Sequence, residues 1–117
     1  NDVFVGGGSG IHQFLLVGEG AMIGGNAAVS RDVPPRVILA ERNLVCGLNL
    51  VGLRRLKIPK ETIAELKKCY AAVYQELTNP GKLAAAALAS GLGQAKEARS
   101  FLEFFQKNGR RFCRPKS

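Results

Sequence analysis

A chain of 117 residues, 46% hydrophobic and with no apolar run near the roughly 18 to 20 residues of a membrane span, reads as one soluble domain or a domain and a half. Its net charge of +8 points to an anionic partner, and nothing in it resembles a secretion signal. Three cysteines, Cys46, Cys69 and Cys113, have neither CxxC spacing nor a histidine cluster beside them, which argues against a disulfide framework or a zinc site and fits a reducing cytosol.

From the start of the chain an aliphatic residue returns at every sixth position: Val5, Ile11, Val17, Ile23 and Val29. Most are followed by a small residue, at Gly6, Gly18, Gly24 and Ser30. A helix asks for returns at three and four, and a half-buried strand at two; the stretch GEGAMIGGNAAV, 18–29, also holds four glycines that weaken either. The period predicts a hexapeptide β-helix in which each hexad gives one short strand and one corner of a triangular coil. The aliphatic residue points inward and the small residue fits the cramped turn.

Asn1 to Phe4 fit the last four places of a hexad, so the chain reads as starting in mid-repeat, as the C-terminal piece of a longer protein whose first coil needs cover along its open edge. At RDVPPRVI, 31–38, two prolines remove backbone donors, and the coil region is expected to stop there, giving a first domain over 1–35. A connector over 36–46 then leads to a helical domain over 47–117.

Within that second domain Ile63, Leu66, Tyr70, Val73, Tyr74 and Leu77 predict an amphipathic helix from about Lys60 to Thr78, broken by Asn79, Pro80 and Gly81. An alanine-rich helix over about 82–90 and another over about 95–105, with Ala98, Phe101, Leu102 and Phe105 on one face, follow. The tail KNGRRFCRPKS is expected to fray.

Charge divides between the two halves. Residues 1–53 hold three arginines against four carboxylates, whereas 54–117 hold fourteen Lys and Arg against five Glu. Without an aromatic-interleaved basic motif or helix-turn-helix spacing, nucleic acid is a poor candidate for the anionic partner.

Three ordered motifs, HQF on a coil, DVPP at its exit and NLVGLRR at a helix start, carry a resemblance to a known family. GIHQFLLVGEGAMIGGNAAVSRDVPPRVI and GLNLVGLRR resemble the C-terminal part of bacterial UDP-N-acetylglucosamine O-acyltransferases, hexapeptide-repeat enzymes of lipid A synthesis. The resemblance implies a left-handed parallel β-helix followed by a small α-helical C-terminal domain. It also implies a cytoplasmic bacterial homotrimer with sites between subunits, and transfer of a 3-hydroxyacyl group from acyl carrier protein to the glucosamine 3-hydroxyl. No cofactor is implied beyond the carrier protein's thioester. The family's general-base histidine lies upstream, so the chain is expected to hold no catalytic residue and to be inactive alone. A module that only trimerises and caps is the alternative reading.

His12 matches the histidine of the family's HQF and is assigned to substrate or acyl-chain contact, with a structural corner residue and a catalytic base as competing readings. Gln13, Asn49 and Arg55 match substrate-binding positions, and a guanidinium suits the nucleotide's phosphates. An exposed coil position competes for Gln13, and a plain surface charge for Arg55. Gly25 matches the position that sets acyl-chain length, with a tight turn as the equal alternative. Val51 stands where the family commonly has an acidic residue and Leu56 where a second arginine often follows, which predicts altered nucleotide contacts.

Overall fold

The computed structural model describes residues 3–11, 13–76, 78–107 and 110–116. Four two-residue strands open the chain: β1 (Phe4–Val5), β2 (Gly10–Ile11), β3 (Met22–Ile23) and β4 (Ala28–Val29). Phe4 pairs in parallel with Met22 and Gly10 with Ala28, each eighteen residues on, so three hexads make one coil. Val5, Ile23 and Leu39 then lie in one inward column, and Ile11 lies over Val29. Exposure falls along these columns, from Val5 and Ile11, both exposed at the β1–β2 end, to Ile23, Val29 and Leu39, all buried.

Small residues follow the aliphatic ones because successive coils touch at the corners. A Cβ on Gly18 would lie 2.3 Å from the Pro35 nitrogen, and one on Gly6 would lie 2.5 Å from the Gly25 nitrogen. No side chain fits at either place.

The prolines do not end the coil. Strand β5 (Val37–Ala40) lies within the segment expected to be a connector and pairs in parallel with β3, Met22 opposite Ile38. That step is sixteen residues, as is the bridge from Val17 to Val33, so this turn of the coil is two residues shorter than the one before. Pro34 and Pro35 sit buried at the corner between Val33 and β5, where no ladder donor is needed of them. The coil ends one strand later: β6 (Leu44–Leu48) turns back antiparallel on β5 through a tight turn in which Glu41 and Asn43 have positive φ.

Helices α1 (Leu50–Arg55), α2 (Lys60–Val73), α3 (Pro80–Ala89) and α4 (Lys96–Phe104) follow. Pro80, expected only to break a helix, opens α3 in the first turn, where its missing N–H costs nothing. Helix α2 ends earlier than its apolar periodicity, because Tyr74 is its C-cap and directs its hydroxyl to the Cys113 carbonyl at 3.1 Å. The ring of Tyr74 packs edge-on to Tyr70 and Phe105 at centroid distances of 5.0 and 6.0 Å. With Phe101 and Phe112 these rings form the core of the helical region.

Glu65 on α2 ties in the loop before α4, accepting from the Gly93, Gln94 and Ala95 amides at 2.9, 2.7 and 3.0 Å. Hydrogen bonds from Ala95, Gln94 and Gly93 together hold its carboxyl below the ordinary value.

The tail is not frayed over its described residues. The Asp32 amide donates to the Arg111 carbonyl at 2.8 Å, Cys113 donates to the Asp32 carbonyl at 2.9 Å and Val45 to the Arg114 carbonyl at 3.0 Å. The chain end thus adds a last rung to the coil on the side away from β1, with Cys113 buried.

Candidate functional site

Gln13 and Gly25 lie on corners of the coils, and Asn49 is bonded to a third. Left-handed backbone recurs there at the hexad interval, at Gly8, Phe14, Gly20 and Asn26, each with φ between +62° and +77°. Gln13 is exposed at the corner that Phe14 turns. Gly25 is exposed at the corner that Asn26 turns, where an added Cβ would lie 3.2 Å from the Gly7 carbonyl oxygen, so even alanine is tight against the neighbouring coil. His12 lies outside the described residues.

Asn49 belongs to the third corner. Its Nδ2 donates to the Gly20 carbonyl at 3.2 Å, and its Oδ1 accepts from the Gly52 amide at 3.1 Å, capping α1. The Asn49 amide donates to the Arg36 carbonyl at 2.6 Å, and Arg36 in turn donates to the Glu19 carbonyl at 3.0 Å. Gly52 is the residue that permits this cap, since a Cβ there would come 2.6 Å from the Asn49 Nδ2. The asparagine and glycine of NLVGLRR therefore act together: one side chain closes the helix start and pins it to the coil, and the missing one leaves it room.

Arg55 ends α1, exposed, with no ion pair among the described residues. The two family departures are both exposed, Val51 on the same short helix and Leu56 as its C-cap. Within one chain, then, Asn49 and Arg55 share an element, while Gln13 and Gly25 sit at two other corners. One chain does not bring the four together.

Asp32 and Arg110 form a contact that motif reading does not suggest. Asp32, 1% exposed, accepts from Arg110 Nε and Nη2 at 2.7 Å each and from the Leu16 amide at 3.0 Å. Burial pushes this carboxyl up, but the hydrogen bonds and charge of Arg110, with the Leu16 amide, outweigh burial and hold it below its ordinary value. The sequence shows the acid in DVPP; its partner lies 78 residues away, beyond any local pattern.

The basic half of the chain has a spatial form as well. A hollow of about 470 Å³ between the end of α2, the start of α3, the end of α4 and the tail is lined by Arg31, Lys82, Lys107, Arg111 and Arg114, with Glu76 its one acidic residue among the described residues. Arg110 also reaches it, with its charge matched by Asp32. No group of His, Cys, Asp and Glu among the described residues has the form of a metal site, and no described helix is long and apolar enough to cross a membrane.

The family model described as UDP-N-acetylglucosamine O-acyltransferase, domain 2, matches residues 32–113. An acyl-[acyl-carrier-protein]–UDP-N-acetylglucosamine O-acyltransferase from Sulfurovum is 50% identical over 68 residues, covering 56% of this chain and 25% of the relative. One from Rhizobium leguminosarum is 36% identical over 103 residues, covering 87% of this chain and 38% of the relative. The chain thus spans between a quarter and two fifths of the length of these relatives.

Solved structures agree along nearly the whole chain. The UDP-N-acetylglucosamine acyltransferase of Campylobacter jejuni superposes with a TM-score of 0.87 at 26% identity, over 99% of this chain and 45% of that one. The Acinetobacter baumannii structure gives 0.87 at 29% identity, over 97% and 45%. The coils are accordingly those of a left-handed parallel β-helix, closed by a helical C-terminal region.

Proposed function

The chain belongs to the UDP-N-acetylglucosamine O-acyltransferase family, and on that premise we propose that it is the C-terminal segment of an enzyme that acylates the 3-hydroxyl of UDP-N-acetylglucosamine. The donor is a 3-hydroxyacyl thioester of acyl carrier protein, and no further cofactor takes part. The sugar hydroxyl attacks the thioester carbonyl carbon while its proton passes to a histidine base on an upstream coil. Backbone N–H groups hold the developing oxyanion, the C–S bond breaks, and the histidine returns its proton to the sulfur so that the carrier protein leaves as its thiol.

One observation carries the assignment of the site. Gln13, Gly25 and Asn49, three of the residues that match family positions, belong to three different corners of the coil, so they form a single site only when corners of neighbouring copies face each other. A homotrimer whose three-fold axis runs outside the coils and parallel to them supplies that arrangement, with Gln13 of one copy and Arg55 of another meeting across the cleft. Asn49, whose amide is engaged in two hydrogen bonds, serves there by fixing α1, and Arg55 takes the nucleotide's phosphates. His12 joins Gln13 in contacting substrate. Gly25 keeps the acyl groove open, for which its exposure and tight setting are suited.

The cationic hollow around Arg31, Lys82, Lys107 and Arg111 suits the acidic carrier protein as a steering surface, an effect that rising salt suppresses.

The test is a titration of the chain with UDP-N-acetylglucosamine by calorimetry, with light scattering to fix the mass of the assembly. Saturable binding that weakens about tenfold in Arg55→Ala is expected, the loss of a charge-assisted contact to phosphate. A trimer with no nucleotide affinity would favour the capping module instead. Acyl transfer is expected only once the upstream coils are joined to the chain.

A further inference from the structure

Of the four coil corners that turn through left-handed backbone at the hexad interval, two use glycine and one asparagine, the residues that tolerate it best. The fourth uses Phe14, at φ +64°, and the residue is 89% exposed, so burial within the chain gives nothing in return. Such a corner persists only where surrounding contacts over-determine it.

Those contacts come from the far end of the chain. Arg110 Nη2 donates to the Phe14 carbonyl at 2.9 Å and to Asp32 Oδ1 at 2.7 Å, while Nε donates to Asp32 Oδ2 at 2.7 Å. Asp32 Oδ1 accepts in addition from Leu16, two residues beyond Phe14, at 3.0 Å. The corner is thus held on the C-terminal side of its left-handed residue, at the Phe14 carbonyl and the Leu16 amide, by one ion pair whose carboxylate is buried. The ion pair is itself held in register, because the amide of Asp32 donates to the Arg111 carbonyl and its carbonyl accepts from Cys113.

We propose that Arg110 is a positioning residue for the 13–16 corner: by holding Asp32 with two N–H groups and the Phe14 carbonyl with a third, it sets the direction in which Gln13 leaves the coil. The tail therefore does more than cover the last coil; it shapes a corner that carries a candidate substrate contact. The inference rests on the proposed function only in taking Gln13 as that contact. A lysine cannot replace Arg110, since an ammonium is a point donor without the planar fork that spans both carboxylate oxygens and a carbonyl.

Amide exchange of the 117-residue chain, read residue by residue by NMR, tests this with Arg110→Lys, which keeps a positive charge opposite Asp32. The Leu16 amide is expected to exchange about tenfold faster, while the Gly24 and Ala28 amides, bonded to Leu39 and Glu41 at other corners, keep their protection. Nucleotide affinity is expected to fall about fivefold, and Arg110→Lys is expected to add nothing in a Gln13→Ala background, where the residue it positions is already gone.

Equal acceleration at every amide, or none at Leu16, would overturn the proposal. So would a loosened corner with nucleotide affinity retained. Failure of the unsubstituted chain to bind nucleotide counts against the functional reading alone, and the exchange pattern then decides the clamp by itself. Should Arg110→Lys not fold, the pair Asp32→Asn with Arg110→Gln removes the buried carboxylate and its partner charge together and gives the same readout.

Discussion

In the coils the interior consists of aliphatic columns one residue wide, such as Val5, Ile23 and Leu39, each side chain resting on the same column in the next coil. In the helical region Tyr70, Tyr74, Phe101, Phe105 and Phe112 meet from α2, the turn after it, α4 and the tail. A column is only as stable as the coil above and below it, because every ladder bond and every corner contact comes from a neighbouring coil. An aromatic cluster closes on itself. The lesson lies in how the two are joined: the tail contributes Phe112 to the cluster and ladder bonds to Asp32 and Val45, so the closed core anchors the open one.

Steric tests separate the two regions most sharply. Gly18→Val is expected to cost about 3 kcal/mol or more, since its Cβ would overlap the Pro35 backbone and neither coil has a flexible atom to move. Gly7→Ala, where a Cβ meets nothing within 4 Å, is expected to leave the melting temperature nearly unchanged. Equal effects of the two, read by thermal circular dichroism, would mean that coil contact at the corners does not set stability. In the other region Phe101→Ala, at a fully buried ring, is expected to cost about 3 to 5 kcal/mol through the cavity it leaves. Denaturant unfolding checks this, and the loss is expected to spread to the coils because the tail links the cores.

Acid provides a finer comparison, because each region contains one carboxylate held below its ordinary value: Asp32 in the coils and Glu65 in the helices. A depressed group contributes stability above its unfolded value, 3.8 for Asp32 and 4.5 for Glu65, and loses it as pH falls through the lower folded value. Stability is therefore expected to decline below about pH 4.5. Glu65→Gln is expected to cost about 1 to 3 kcal/mol near neutral pH, to leave part of the loop's three amides without acceptors and to flatten the acid profile. An unchanged profile would show that the loop cap does not depend on charge.

The smallest effect concerns the thiols. Cys69 and Cys113 are buried, and burial pushes them up to about 11 and about 12, whereas Cys46 is exposed on β6. Brief alkylation near neutral pH is expected to add a single group, at Cys46, by mass spectrometry of the folded chain. Modification of Cys113 would mean that the tail leaves the coil on that timescale.

Much of the coil region was legible because its rule is local: Val5, Ile11, Val17, Ile23 and Val29 each carry the inward position, and glycine marks corners where chains touch. The shortened turn was not, because two residues are lost between Val29 and Val33 while both stay buried, and a fixed period has no means of showing a skipped step. Nor were the prolines, which looked terminal yet occupy a corner with no ladder bond to donate. In the helical region apolar spacing placed α2 and α4 to within a few residues at most ends, but the early stop at Val73 follows from the reach of Tyr74 to Cys113.

The sequence by itself determined the coil period, the inward aliphatic residues, the helical character of the second half and, through HQF, DVPP and NLVGLRR, the family. These depend on residues within a few positions of one another. Only the tertiary structure decided that the tail joins the coil, that Asp32 is matched by Arg110, and that Gln13, Gly25 and Asn49 belong to three separate corners. Each of those facts pairs residues tens of positions apart, and such pairs are selected by the burial and hydrogen bonding of the completed fold, which no local spacing encodes.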